Sequence, residues 1–191
     1  MYAPHAVRGK LTLNLFTNSE NTVLGDGGLI VSEVYPYEET VKQYKLGVIL
    51  HYIDIKYNDI KQWKLFNNQD VLFIDVKDPV EKIINDVWSC EKIVSTSLHG
   101  VVICDSYGID HSLVNSYLTN TYIHKAQNSY KYHDYYSAFN LDFKLPSLTI
   151  GKDTTMLECI NECKPVNKPN IQEIKNGLLS SLKNIISREN Y

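Results

Sequence analysis

The chain has 191 residues, of which 43% are hydrophobic and 21% charged, and its formal net charge is -3. That balance excludes an intrinsically disordered chain, and the length suits one domain with a hydrophobic core. With no global basic field there is no basis for nucleic-acid binding through counterion release, so any anion site must be local.

The first eight residues lack the apolar core of a secretion signal, and no run is long enough to cross a bilayer. The expected location is cytoplasmic, at most peripheral to the inner face of a membrane. Short β-branched runs predict strands at 46–50, 71–76, 92–95 and 112–115, and their near-continuous apolar character suits strands covered on both faces. Between the second and third, residues 78–88 predict a helix, with Asp78 as cap, Pro79 in the first turn and Val80, Ile83, Ile84, Val87 and Trp88 on one face. A further helix is predicted from Leu98 to Tyr107, closed by Gly108. Cys159 and Cys163 lie four apart on a predicted helix and read as two small apolar residues, not as half of a zinc site. The four cysteines are too sparse for a disulfide framework. Residues 164–170 read as a rigid connector, and a last helix is expected from about Asn170 to Ser187. Strands alternating with helices predict an α/β fold, a Rossmann-like parallel sheet flanked by helices, within a single lobe over 1–191.

The stretch richest in chemistry runs from Ile93 to Ile109. An apolar strand leads into Ser95, Thr96 and Ser97, then His99 and Gly100 open a helix. This is the carboxyl end of a parallel strand, where free amides and the helix dipole favour an anion and the hydroxyls add donors. A histidine beside such an anion has a reference pKa suited to acid or base duty.

Ser97-Leu98-His99-Gly100 followed by Tyr107-Gly108-Ile109 resembles the polysaccharide pyruvyl transferase family. Further blocks follow in that family's order: Val7-Arg8-Gly9-Lys10-Leu11-Thr12, Gly25-Asp26-Gly27-Gly28-Leu29, Gly47 through Asp54, and Lys131-Tyr132-His133-Asp134-Tyr135-Tyr136. Lys10, Gly27, Leu50 and Asp110 stand where the family has proline, and Ser97 where many members have arginine. The resemblance divides the lobe into N-terminal boxes at 1–44, a core at 45–165 and a C-terminal helix at 166–191. It also implies that this is the C-terminal lobe of a two-lobed enzyme like GT-B glycosyltransferases, completed by an N-terminal lobe or a second copy, with little turnover by this lobe alone.

What the resemblance implies chemically is transfer of pyruvyl from phosphoenolpyruvate, as donor substrate, to a pair of saccharide hydroxyls; no cofactor is expected, and since the sequence shows no cluster of metal-ligand residues, no metal is expected either. His99 is then the expected acid/base and Arg8 the expected anion clamp. Ser95, Thr96, Ser97 and Gly100 are expected around the substrate, and His51 with Asp54 is expected to orient the second substrate. Asp26 is expected to cap its loop, and Asp134 and Tyr135 to start and pack a helix. Two rival readings stand beside this one: a GT-B glycosyltransferase with Asp105 or Glu158 on a nucleotide ribose, and a catalytically inactive binding lobe.

Overall fold

The computed structural model describes residues 4–17, 19–36, 41–56, 58–119 and 126–189. Their architecture is α/β. Strands β3 (Tyr44–Ile49), β4 (Val71–Ile74), β5 (Cys90–Ser95) and β6 (Asp110–Leu113) form a parallel sheet in the order β4-β3-β5-β6. Two short parallel pairs accompany it, β1 (Ala6–Val7) with β2 (Val23–Leu24), and β7 (Asn115–Ser116) with β8 (Thr149–Ile150). The helices are α1 (Lys10–Leu13), α2 (Val31–Val34), α3 (Val80–Trp88), α4 (Leu98–Tyr107), α5 (Ala126–Ser137), α6 (Met156–Glu162) and α7 (Ile171–Glu189). None of them is long and apolar enough to cross a membrane.

Alternation along the strands decides the two faces of the sheet. Leu46, Val48, Leu50, Val71 and Val94 meet Ile60, Trp63 and Leu65 of the β3–β4 connection, together with Cys159 and Cys163. Ile49, Ile74 and Ile93 meet Val87 of α3 and Cys104 of α4 on the other face. The chain therefore leaves β3 toward one edge over one face, and leaves β5 toward the other edge over the opposite face. Right-handed crossovers running in opposite directions need opposite faces, so this swap follows from the strand order. A third core joins Val101 and Val102 of α4 to Tyr132 and Tyr135 of α5, to Phe139 just beyond that helix, to Leu178 of α7, and to Leu29. The N-terminal segment is held there: Gly25, at φ 134, lies so close to α7 that a Cβ would come within 2.6 Å of Ile174.

Helix α4 spans the predicted residues, with Gly108 at φ 71 accepting the left-handed position that ends it. Asp78 does not cap α3. Pro79 occupies the cap position without a side-chain bond, and Asp78 pairs with Lys82 at 3.0 Å. The expected strand at 112–115 is interrupted at Val114, because the chain changes neighbours: Val114 N–H donates to Ser95 O, and Asn115 N–H to Leu148 O. Asp134 and Tyr135 lie near the end of α5 rather than its start. Asp134 is fully buried and accepts from Thr12 N–H (2.9 Å) and Thr12 Oγ1 (2.6 Å). Cys159 lies in α6 and Cys163 just beyond it; burial pushes both thiols up to about 12, which leaves them protonated and apolar.

Candidate functional site

In an open parallel sheet, ligands bind beyond the carboxyl ends of two neighbouring strands whose connections depart in opposite directions. Here those strands are β3 and β5. Their ends are tied together by Thr96: its N–H donates to Ile49 O (3.0 Å), and its Oγ1 accepts from His51 N–H (2.7 Å) and donates to Asp54 Oδ2 (2.7 Å). Ser95 Oγ donates to Ser97 O and accepts from Ser97 N–H, both at 3.0 Å. Ser97 caps α4, its Oγ accepting from Gly100 N–H at 3.2 Å. A Cβ at Gly100 would run into Ser95 Oγ. Ser95, Thr96, Ser97 and Asp54 are all buried, so this group shapes the floor of the crevice, and its hydroxyls already serve protein partners.

Charge gathers above that floor. Asp26 anchors one carboxylate oxygen on Gly28 N–H (3.0 Å), and its Oδ2 accepts from Arg8 Nε (3.1 Å). Asp26 thus does cap its loop, but it also fixes Arg8, which lies outside any helix. His99, on the first turn of α4, leaves 74% of its side chain exposed and sets Nε2 3.9 Å from the same Asp26 oxygen. His51, just beyond β3, accepts from Ile53 N–H through Nδ1 at 3.3 Å, which leaves Nε2 to carry the proton. Burial lowers the His51 pKa, the positive charges of Lys131 and His99 lower it further, and Asp54 pulls the other way. Lys131 of α5 is lowered as well, first by burial and then by Arg8.

Arg8 and His99 therefore meet at Asp26 beside the β3–β5 crevice, and His51 and Lys131 lie near enough to feel the positive charges around them, with Asp54 as the carboxylate that acts on His51. Positive charges that lower the proton affinity of His51 and Lys131 are relieved by an anion set beside them. The N-terminal end of the α4 dipole lies at the same turn, with Gly100 N–H already taken by Ser97 Oγ. The structure brings together His99, Arg8 and His51 of the expected site residues, with Ser95, Thr96, Ser97, Gly100 and Asp54 beneath. Lys131 was not singled out in the sequence. It stands in one of the quoted blocks, but nothing local distinguishes it from other lysines, because its neighbours come from segments far away in the chain.

The carboxylates considered for a nucleotide ribose are otherwise engaged. Lys168 Nζ reaches both Asp105 oxygens at 2.6 Å, and Tyr135 OH donates to Asp105 Oδ2 at 2.6 Å. Glu158 closes a capping box with Thr155 at the start of α6. Among the described residues, no three His, Cys, Asp or Glu side chains are grouped as metal ligands.

No family model and no solved structure matches the chain. It is similar to an uncharacterized protein of Acanthamoeba polyphaga mimivirus, with 31% identity over 147 residues, which are 72% of this chain and 48% of that protein. The chain thus spans about half the length of the relative it matches.

Proposed function

We propose that the β3–β5 crevice binds phosphoenolpyruvate and that the protein takes part in transferring its pyruvyl group to a pair of saccharide hydroxyls. The observation that carries this reading is the meeting of Arg8 and His99 at Asp26, with Lys131 and the His51 Nε2–H group nearby, a set of positive and proton-donating groups suited to a ligand that bears both a phosphate and a carboxylate. The Ser97-Leu98-His99-Gly100 resemblance supplies the reaction.

In that reaction His99 delivers a proton to the methylene carbon of phosphoenolpyruvate, which leaves C2 electron-poor. One sugar hydroxyl adds to C2 and returns a proton to His99. The C2–O bond to phosphate breaks, the second hydroxyl closes the ketal, and its proton leaves with phosphate. Arg8 and Lys131 hold the departing charge, which grows in the transition state, and His51 Nε2–H orients an oxygen near C2. Asp26 keeps Arg8 and His99 aimed at the same ligand.

The test is a phosphoenolpyruvate titration followed by amide and imidazole NMR, with Arg8→Ala and Lys131→Met variants and sulfate as a control. Shifts are expected at His51, Lys131 and residues 97–101, with millimolar affinity that each variant weakens about tenfold. Binding should tighten as pH falls through the range where His51 gains its proton. Shifts elsewhere, or none up to tens of millimolar, overturn the reading.

A further inference from the structure

The carboxyl edge of the sheet carries a second concavity. Tyr117, Thr149, Gly151, Lys152, Asp153 and Thr154 line an open cavity of about 500 Å3 where β7 and β8 end. The strand register places it relative to the crevice. Ile49 pairs with Ser95 and Ser95 with Leu113, and after the change of partner at Val114 Asn115 pairs with Thr149, so β7 and β8 continue from the same carboxyl edge that carries the Ser97 turn. Tyr117, which opens a 3-10 turn, and Gly151 follow directly after these two strands. With strands about 4.8 Å apart and a rise of about 3.3 Å per residue, the cavity is on the order of 10–15 Å from the Ser97 turn. That gap matches two small molecules meeting end to end.

The chemistry of this cavity differs from that of the crevice. Tyr117 is 67% exposed and offers a flat apolar ring. Gly151 stands against it, since a Cβ there would lie 3.2 Å from Tyr117 Cβ, and so leaves the flank of the ring open. A tight turn, closed by Gly151 N–H to Thr154 Oγ1 at 2.9 Å and Thr154 N–H to Gly151 O at 3.3 Å, presents Lys152 and Asp153 side by side. Their charges cancel, so the cavity has no field to select an anion. An aromatic face beside a carboxylate, an ammonium and two threonines suits a ring with C–H groups on its face and hydroxyls on its rim.

We infer that this cavity is the acceptor subsite and that it takes a neutral pyranose, the sugar's C–H face on Tyr117 and a hydroxyl pair on the Asp153 carboxylate. Its role as acceptor subsite rests on the crevice being the phosphoenolpyruvate site; its selectivity for a neutral sugar rests on the cavity alone. Sugars bearing a phosphate or a uronic carboxylate, which bring a negative charge to Asp153, bind less well.

The experiment is saturation-transfer NMR on the whole 191-residue chain. The probes are methyl glycosides of glucose, galactose and mannose, with glucuronic acid, glycerol and UMP as comparisons. Saturation of the sugar ring protons is expected for at least one neutral glycoside, and it should fall at least about fivefold in Tyr117→Ala and in Asp153→Asn but persist in Tyr117→Phe. Tyr117 and Asp153 are exposed, so these variants keep the core intact. No transfer to any glycoside, equal transfer to glycerol or glucuronic acid, transfer to UMP alone, or transfer that survives Tyr117→Ala each overturn the inference. Phosphoenolpyruvate is followed in the same samples through His99 and Lys131. Loss of that signal with glycoside binding retained sinks the reading of the crevice and leaves the sugar site standing, and the reverse pattern sinks the sugar site alone.

Discussion

Two carboxylates near opposite ends of α4 are surrounded by cations, with opposite results. Asp105, near the helix's C-terminal end, is fully buried with Lys168, whose ammonium also lies over the rings of Tyr136, Tyr135 and Phe139 at 5.0–5.8 Å. Tyr135 OH completes the carboxylate's bonding, and His111 Nε2 stands 3.6 Å away. Asp26, beside the N-terminal end, meets Arg8 and His99 at the rim of a crevice, and His51 and Lys131 lie beyond them. Around Asp105 the ion pair is matched and its side chains are almost wholly buried, so it holds α4, α5, β6 and the 164–170 connector together. Around Asp26 the Arg8 and His99 side chains are partly or largely exposed, so they can meet a ligand from solvent. Burial with matched charge makes structure, and exposed charge makes a site.

The largest effect that would test this contrast is on stability. Lys168→Ala leaves Asp105 buried without its cation and should cost about 3–5 kcal/mol in chemical denaturation. Replacing both partners by apolar residues of similar size, Asp105→Leu with Lys168→Met, should recover most of that loss. If Lys168→Ala proved as mild as a surface change, Asp105 would not be the hub described.

A smaller effect appears with pH. Burial holds His111 below its ordinary value of 6.5, with Lys168 adding to the shift and Asp105 opposing it, and His51 is lowered too. The unfolded chain therefore binds protons near pH 6.5 that the folded chain does not. Stability is complete above that pH and falls as pH drops below it, by up to about 1.4 kcal/mol per pH unit for each histidine. His111→Gln should flatten the slope between pH 7 and 5, and an unchanged slope would count against a neutral buried His111.

The smallest effect is at the rim. Arg8→Ala should change stability by less than about 1 kcal/mol, because its pair with Asp26 is partly solvated. A loss comparable to that of Lys168→Ala would make Arg8 a structural residue and erase the distinction.

The sequence carried the parts of this arrangement that depend on neighbours in the chain. Helix α4 and its Gly108 end follow from local pattern, and so do the strands that become β3, β4 and β5. The break at Val114 was not visible, since it reflects a change of partner from Ser95 to Leu148, and no residue type marks such a change. Asp78 looked like a cap by position, but Lys82 one turn later competes for its carboxylate. At the candidate site, His99, Arg8 and His51 stood out by residue type and by resemblance. Lys131 did not, because its value lies in meeting Arg8 and His51 across long separations. The serines and Thr96 were read as ligand donors for want of their protein partners, which only the turn geometry reveals.

The attachment of the N-terminal segment to α7 bears on the order of biosynthesis. Arg8 and Asp26 are made early, yet their segment rests on Ile174 and Leu178, and Gly177 receives Val23. A nascent chain has the floor of the crevice, from Leu46 to Tyr107, well before residues 171–189 have left the ribosome. The half of the rim that carries Arg8 and Asp26 packs on α4 and α5 as well as on α7, so its docking begins with the earlier helices and is completed only once α7 has emerged.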